Sequence, residues 1–155
     1  LPNLQLIVLD DAFQHRKLAP HFRILLTPYS SPFSTDHLLP MGRLRESRAG
    51  AKRADIVVLT KCPAELSLLE KNKLTQGLAP YLNAGTDLFF SSITYGLPYQ
   101  VSGPIQASFS KVIALSGLAD NRPFMDYCQE NFKLVETFSF PDHYAYKPED
   151  AGQIL

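Results

Sequence analysis

Six short apolar runs divide the chain, and each is typical of a strand buried inside a parallel sheet. The first run extends from Leu4 to Leu9 and is followed directly by two carboxylates, Asp10 and Asp11. None of the runs reaches the roughly 18 residues that a membrane-spanning helix needs. The other five runs are predicted strands at residues 22–27, 54–60, 88–94, 111–115 and 133–140.

Helices are predicted between and after these runs. Leucines recur at helical spacing within residues 63–81, which predicts one helix there. A second helix is predicted from about Asn121 to Asn131, and a third begins near Pro148. Because strands and helices alternate, the sequence predicts an α/β fold with a largely parallel sheet flanked by helices, in which residues 1–155 form a single domain.

Composition changes this picture only slightly. The 155 residues are 45% hydrophobic and 19% charged, as expected of a folded domain. Fifteen basic and fifteen acidic residues cancel, so the net charge gives no sign of a nucleic-acid partner. The two cysteines, Cys62 and Cys128, form no CxxC pair and favour a reducing compartment.

Residues 42–53 form a local basic segment, in which five arginines or lysines accompany a single acidic residue, Glu46. Arginine offers paired, permanently charged donors that suit phosphate groups. We interpret Arg48, Lys52 and Arg53 as an ordinary solvated face. A basic segment of this kind could also bind RNA or anionic lipid in a protein without catalytic activity, and this alternative stays open.

The strongest local signal for chemistry is the acidic pair Asp10 and Asp11. A buried strand delivers the residue that follows it to the carboxyl edge of the sheet, where α/β proteins bind ligands. A carboxylate at that edge can hold Mg²⁺ against nucleotide phosphates, which is the Walker B arrangement. Helix capping would explain one carboxylate, but not also the amide, imidazole and guanidinium groups of residues 10–16. An ion pair between Asp11 and Arg16 is the structural alternative.

Residues 9–16, LDDAFQHR, resemble the LDDGFQHR signature of the lipid A 4'-kinase (tetraacyldisaccharide 4'-kinase) family. Ala12 stands where that family usually has Gly, and Arg43 stands where Pro is common. Further segments resemble family segments in the same order along the whole chain. They are LLPMGRLRES at 38–47, KRADIVVLTK at 52–61, ALSGLADNRPFMDYC at 114–128 and FSFPDHYAYKPED at 138–150.

The resemblance implies a P-loop NTPase-like kinase fold with ATP and Mg²⁺ as cofactors. The phosphate-binding motif GxxxxGK[ST] occurs nowhere in these 155 residues. We therefore expect the chain to be a carboxy-terminal portion of a longer kinase, without the P-loop part, and to be inactive alone. A different P-loop protein, such as a GTPase-like switch or another small-molecule kinase, is an alternative that stays open.

Candidate site residues are taken from matching positions only. The resemblance implies that Asp10 and Asp11 bind the metal ion and serve catalysis. It also implies that Gln14 and His15, in the same signature, line the substrate site.

Two later segments supply the remaining candidates. The resemblance implies that Arg45 and Glu46 bind the phosphorylated substrate. It implies that His143 partners a catalytic aspartate outside these residues, because an imidazole can orient a carboxylate that acts as a base.

The activity that the resemblance implies is transfer of the γ-phosphoryl group of ATP to the 4'-hydroxyl of a tetraacyldisaccharide 1-phosphate in lipid A biosynthesis. The lipid substrate implies that the whole protein works at the cytoplasmic face of the bacterial inner membrane, in contact with the membrane surface. The 155-residue portion itself is expected to be soluble, with no nucleic-acid partner.

Overall fold

A computed structural model describes residues 3–101, 103 and 110–154. The chain divides into two compact units, Leu1–Ile93 and Thr94–Leu155, and each has its own parallel sheet. The predicted class, an α/β protein with parallel strands and flanking helices, is confirmed. Its organisation as a single domain stays a prediction.

The sheet of the first unit contains three parallel strands, β1 at Ile24–Pro28, β2 at Ile56–Cys62 and β3 at Asp87–Ser92, in that spatial order. Leu26 lies opposite Val58 in the β1–β2 pair, and β2 shifts register against β3 near its end. These strands lie where three of the apolar runs predicted them. Continuous apolar runs of this kind are typical of parallel strands that are buried on both faces of the sheet.

The core of the first unit forms around the central strand. Val57 and Leu59 of β2 are fully buried, together with Leu78 at the end of the helix that follows. Thr27 is also buried, and its hydroxyl oxygen accepts a hydrogen bond from the backbone N–H of Phe33 at 2.9 Å. That bond satisfies the buried polar atom and anchors the loop after β1 to the sheet.

The helix of the first unit, α1, spans Leu68–Leu78, and a 3₁₀ helix follows at Ala79–Tyr81. The predicted start near residue 63 was therefore wrong by about five residues. Ser67 and Glu70 form a capping box: the Ser67 hydroxyl accepts from the Glu70 backbone N–H at 3.2 Å, and the Glu70 carboxylate accepts from the Ser67 backbone N–H at 3.1 Å. This reciprocal cap fixes the helix start.

The second unit pairs two parallel strands, β4 at Lys111–Ser116 and β5 at Lys133–Ser139. The helix α2, at Arg122–Asn131, connects them, and α3 spans Pro148–Ile154. All four elements lie close to their predicted positions. A strand, helix and parallel strand in succession form one βαβ unit, the building block that the alternating pattern indicated.

A side-chain amide joins the ends of the two strands in the second unit. Asn121, just before α2, donates to the hydroxyl of Ser139 at 2.8 Å and to that of Ser116 at 3.2 Å. Its backbone carbonyl also accepts the first turn's bond from Met125. Asn121 therefore fixes where α2 begins relative to the carboxyl end of the sheet.

The prediction of a buried strand at Leu4 to Leu9 was wrong. These residues form no strand, and the apolar side chains among them are exposed. A strand exists only where a neighbour binds its amide and carbonyl groups, and the described strands leave the outer edge of β1 without a partner. Asp10 and Asp11 consequently follow an extended segment rather than a strand end.

A tightly folded loop, residues 36–44, precedes the 3₁₀ helix at Arg48–Arg53. Its two arms are joined by a backbone hydrogen bond from Leu39 to Leu44 and another from Leu44 to His37, both 3.0 Å long. Gly42 lies at the point where the arms approach most closely, and a Cβ there would overlap the backbone oxygen of His37. Within the described residues, no helix is both long and apolar enough to cross a membrane.

Gly42→Ala should lower the free energy of unfolding by about 1–3 kcal/mol, because the added methyl group meets backbone atoms that cannot move aside easily. The matched control is Gly77→Ala in α1, where no atom lies within 4 Å of the new Cβ. That variant should gain about 0.5–1 kcal/mol through helix propensity. Urea unfolding of both variants measures the contrast, and equal effects would contradict the close packing at Gly42.

Candidate functional site

The two segments that carry the resemblance meet in the first unit, although 34 positions separate Asp11 from Arg45. The guanidinium group of Arg45 donates two hydrogen bonds to the carboxylate of Asp11, at 3.0 Å to Oδ2 and 2.5 Å to Oδ1. Hydrogen bonding by Arg45 holds the pKa of Asp11 below its usual value. Asp11 is therefore ionised, and each of its carboxylate oxygens accepts one hydrogen bond from the guanidinium group of Arg45.

Glu46 forms the second link between the segments. Its Oε1 accepts from Arg53 at 2.6 Å and its Oε2 accepts from Arg16 at 3.2 Å. The Glu46 side chain is only 22% exposed, and the hydrogen bond from Arg53 lowers the pKa of its carboxyl group. Because both oxygens are engaged, Glu46 fastens residues 10–16 to the basic segment.

Arg53 is a further anchor of the same junction. Its guanidinium group donates to the backbone oxygen of Phe13 at 3.1 Å and lies 4.9 Å from the centre of the Phe13 ring. The hydrogen bond and the cation–π contact act on the same residue from the same side chain. The backbone at Phe13, midway through residues 10–16, is therefore held from outside the segment.

The interpretation of Arg48 and Arg53 as solvated side chains was wrong. Arg53 is partly buried in the junction, and Arg48 donates two hydrogen bonds, at 2.6 and 3.0 Å, to the backbone oxygen of Asp36. Lys52 is exposed, as predicted. The structural alternative of an Asp11–Arg16 ion pair was also wrong. Asp11 pairs with Arg45, and Arg16 pairs with Glu46.

Glu46 should make stability depend on pH in the acid range. Its folded pKa lies below the ordinary value of 4.5, so its contribution is present above that pH and is lost as the pH falls through the folded pKa. Glu46→Gln should therefore lower the free energy of unfolding at pH 7 by about 1–2 kcal/mol. At about pH 3 the difference from the unsubstituted chain should be much smaller.

The control for this pH dependence is Glu65→Gln, at an exposed position for which the described residues show no ion pair. Unfolding in urea at several pH values measures both variants. A Glu46→Gln difference that stayed constant from pH 7 to acid would contradict the account.

The remaining candidates of the signature lie around Asp11. Gln14 donates from Nε2 to the backbone oxygen of Asp11 at 3.0 Å, which closes a turn. His15 is exposed, and its backbone N–H continues the turn to Ala12 at 3.0 Å. Asp11 itself has a φ of +47°, a left-handed conformation that Asp tolerates better than most residues. The turn and this conformation aim the Asp11 carboxylate at Arg45.

Asp10 and Asp11 offer carboxylate oxygens, the kind of ligand that Mg²⁺ prefers. Among the described residues, no group of three or more His, Cys, Asp or Glu side chains is arranged to hold a metal ion. Mg²⁺ commonly needs only one or two carboxylates, with water and substrate phosphates supplying the other oxygens. Asp10 is exposed, while both oxygens of Asp11 face Arg45. Asp10 and Asp11 therefore fit Mg²⁺ by chemistry, with Asp10 the more accessible donor.

His143 lies in the second unit, four residues beyond the end of β5. Its side chain is 95% exposed, and its Nε2 is 3.8 Å from Oδ2 of Asp142. Its φ of +56° places it, like Asp11, in the left-handed region. An exposed imidazole held by a constrained backbone contributes little to packing in this unit, and its role in a site stays a prediction.

Sequence reasoning missed the anchoring residues of the junction. Arg16, Arg53 and Phe13 were not among the candidates, although they fasten residues 10–16 in place. The signal that could have found them is charge complementarity. Residues 10–16 contain acidic, basic and aromatic side chains, and the basic segment at 42–53 contains one acid. Spacing along the chain could not say which partners would meet.

The architecture and the junction together define an α/β protein in which carboxylates and arginines gather in a unit built on a parallel sheet. The model of the family described as LpxK, tetraacyldisaccharide-1-P 4'-kinase, matches residues 1–155. The chain therefore belongs to the tetraacyldisaccharide-1-P 4'-kinase family. This match favours the kinase over the other P-loop proteins that the sequence left open.

Individual relatives agree with the family match. The chain is 41% identical to a tetraacyldisaccharide 4'-kinase of Flavobacterium johnsoniae over 155 residues, which are 97% of this chain and 44% of the relative. It is 37% identical over 157 residues to one of Cytophaga hutchinsonii, covering 100% of this chain and 44% of the relative. The chain thus spans less than half the length of these curated relatives.

A solved structure shares the fold. A crystal structure of the "apo" form of LpxK from Aquifex aeolicus, in complex with ATP, matches with a TM-score of 0.57 and 31% sequence identity. The match covers 91% of this chain and 42% of that one. The predicted P-loop NTPase-like kinase class is thereby confirmed for the fold.

Proposed function

We propose that this chain supplies the acidic edge and part of the acceptor site of an enzyme that phosphorylates the 4'-hydroxyl of a tetraacyldisaccharide 1-phosphate with ATP. The observation that carries the proposal is the junction of residues 10–16 with Arg45, Glu46 and Arg53, where carboxylates and guanidinium groups converge. Phosphoryl transfer is catalysed mainly by positioned charges, and this junction positions several. The names of the relatives and the ATP in the Aquifex aeolicus crystal support the same activity.

The two aspartates have different parts in this proposal. Asp10, exposed and accessible, would hold Mg²⁺, which when bound offsets negative charge on the transferred phosphoryl group. Asp11 would be kept ionised and oriented by Arg45 beside it. Each carboxylate oxygen can accept a second partner, with which Asp11 would act on a metal ion or an attacking hydroxyl while Arg45 keeps it oriented.

The neighbouring polar residues would bind and position the substrate. Arg45 is more than half exposed, so its guanidinium group can also meet a phosphate that approaches Asp11. Gln14 and His15 lie on the same turn and would line the acceptor site. Glu46, whose oxygens are both occupied by arginines, would act by holding this arrangement together.

His143 would orient a catalytic carboxylate supplied by a part of the protein outside these 155 residues. Its exposure and constrained backbone leave the imidazole accessible for such a partner. Because the acceptor is a lipid, the whole protein would work against the cytoplasmic face of the inner membrane.

The direct experiment replaces the matching segment of the Flavobacterium johnsoniae relative with residues 1–155, giving a protein called here the full-length chimera. Incubated with γ-labelled ATP, Mg²⁺ and tetraacyldisaccharide 1-phosphate, it should transfer label to the lipid at the 4'-hydroxyl. The 155-residue chain alone should transfer none, because the motif that cradles the phosphates is absent from its sequence. A folded chimera that binds ATP but phosphorylates no lipid would overturn the proposal.

A further inference from the structure

A second surface of the first unit exposes apolar side chains that take no part in the junction. Residues 38–43, here called the apolar loop, expose Leu38, Leu39 and Met41 by 48%, 61% and 85%. A groove of about 460 Å³ runs beside them, and its walls include Leu44 and Arg48. Adjacent exposed apolar side chains beside a groove mark an interaction surface more strongly than scattered ones do.

The backbone holds the apolar loop in this exposed form. Beyond the two bonds that join its arms, Gly42 donates to the backbone oxygen of Leu38 at 3.1 Å, and the Arg43 backbone N–H donates to Oδ1 of Asp36 at 3.2 Å. The loop is therefore pre-organised. A pre-organised surface binds without first losing much conformational entropy.

The charge around the apolar loop is positive. Residues 36–53 contain five arginines or lysines and two carboxylates, which leaves three net positive charges, and the pairing of Arg45 with Asp11 reduces this to two. Arg48 lines the groove and makes no salt bridge within the part of the chain that the structure describes, although its guanidinium group donates to the backbone oxygen of Asp36 and to the Tyr81 hydroxyl. Arg43 is mostly exposed and forms an ion pair with Asp36, a residue that lines the groove.

Charge also distinguishes this loop from an apolar segment near the start of the chain that is exposed to a similar extent. Residues 4–9 are equally uncovered, but two carboxylates, Asp10 and Asp11, follow them directly. An anionic membrane surface would attract the apolar loop, which lies in a segment of net positive charge, more strongly than residues 4–9. An apolar protein partner, by contrast, would leave the net positive charge of residues 36–53 without a counter-charge.

We propose that the apolar loop docks on an anionic lipid bilayer, with Met41 and Leu39 entering the interface and the net positive charge of residues 36–53, to which the exposed Arg43 contributes, facing lipid phosphates. Apolar side chains at a tip with arginines behind them match the layered chemistry of a bilayer surface. The inference rests on the proposed function only for the expectation that the enzyme works at a membrane. It assigns that contact to a particular loop of this chain.

The chain contains no tryptophan, so a single introduced one reports on its own position. Met41→Trp should show blue-shifted emission, quenched by brominated lipid, when the protein meets phosphatidylcholine vesicles that contain phosphatidylglycerol. Leu69→Trp, at a similarly exposed apolar position on α1, and Ile7→Trp should show neither change. Quenching of Ile7→Trp with none at Met41→Trp would overturn the proposal.

Binding strength provides the second measurement. Met41→Asp should lower the vesicle partition coefficient of the full-length chimera at least about tenfold, and Arg43→Gln should lower it about fivefold. Leu69→Asp should change it little. Unchanged partitioning of Met41→Asp would mean that other residues bind the membrane or that protein covers the loop, and would contradict the proposal.

Activity in detergent separates this inference from the proposed function. With acceptor lipid dispersed in detergent, Met41→Asp should turn over normally, whereas with acceptor in vesicles its KM should rise. Normal kinase activity with no role for Met41 in vesicles would overturn only the docking surface. Vesicle docking by a chimera without kinase activity would overturn only the proposed function.

Discussion

Asp10→Ala and Asp11→Ala should each lower the turnover of the full-length chimera by about a hundredfold or more, the scale seen when one preorganised charged group is removed. The melting temperature of Asp10→Ala should change little, because its carboxylate is exposed. Asp11 has a left-handed backbone that alanine disfavours, so Asp11→Asn is measured beside Asp11→Ala and should show the same loss of turnover with little change in melting temperature. Lipid phosphorylation and thermal unfolding, measured on one preparation, test the two expectations together.

The control for the aspartate variants is Asp87→Ala, an exposed carboxylate at the start of β3. It should change neither turnover nor melting temperature appreciably. If Asp10→Ala and Asp11→Ala both kept near-normal turnover, the assignment of the acidic pair to metal binding and catalysis would be wrong. A loss confined to Asp11→Ala would remove Asp10 from the proposed metal site.

Replacing His143 should lower turnover by about a hundredfold, because support of a general base is worth factors of this order. Asparagine is the preferred substitution, since it tolerates the left-handed backbone of this position while removing the imidazole. The acidic limb of the pH–rate profile should shift, because that limb reports the base that His143 would orient. Affinity for ATP should stay nearly unchanged, since no nucleotide contact is proposed for this residue.

His21→Asn is the matched control for His143, because it alters an exposed histidine that belongs to none of the matching motifs. It should leave turnover and the pH–rate profile as they are. A His143→Asn variant with a lower melting temperature, normal turnover per folded molecule and an unshifted profile would show that His143 acts on the fold alone.

The secondary structure was largely predictable, because the spacing of apolar residues along the chain matches the faces that strands and helices bury. The apolar run around Val57 and Leu59, for example, forms strand β2. Helices α2 and α3 begin where they were predicted, directly after Asn121 and at Pro148. The start of α1 was also readable, since Ser67 and Glu70 have capping-box spacing. The proline at residue 63 was the weaker signal.

Other features could not be read from local sequence. The run from Leu4 to Leu9 has every property of a buried strand, but strand formation depends on a neighbour that local pattern does not supply. The partners of Asp11 and Glu46 are set by tertiary contact across roughly 30 positions of sequence, although motif resemblance selected Asp11, Arg45 and Glu46 as candidates. Resemblance identified which residues to consider, and the structure showed how they meet.

Arg45→Ala in the full-length chimera tests most directly whether the junction of residues 10–16 with the basic segment belongs to an active site. Turnover and melting temperature should be measured on the same preparation. The account predicts a fall in turnover of at least about tenfold, since a positioned charge is lost, with an almost unchanged melting temperature, since the Asp11–Arg45 pair is exposed. A lower melting temperature with turnover per folded molecule preserved would contradict it and leave the junction as a structural contact.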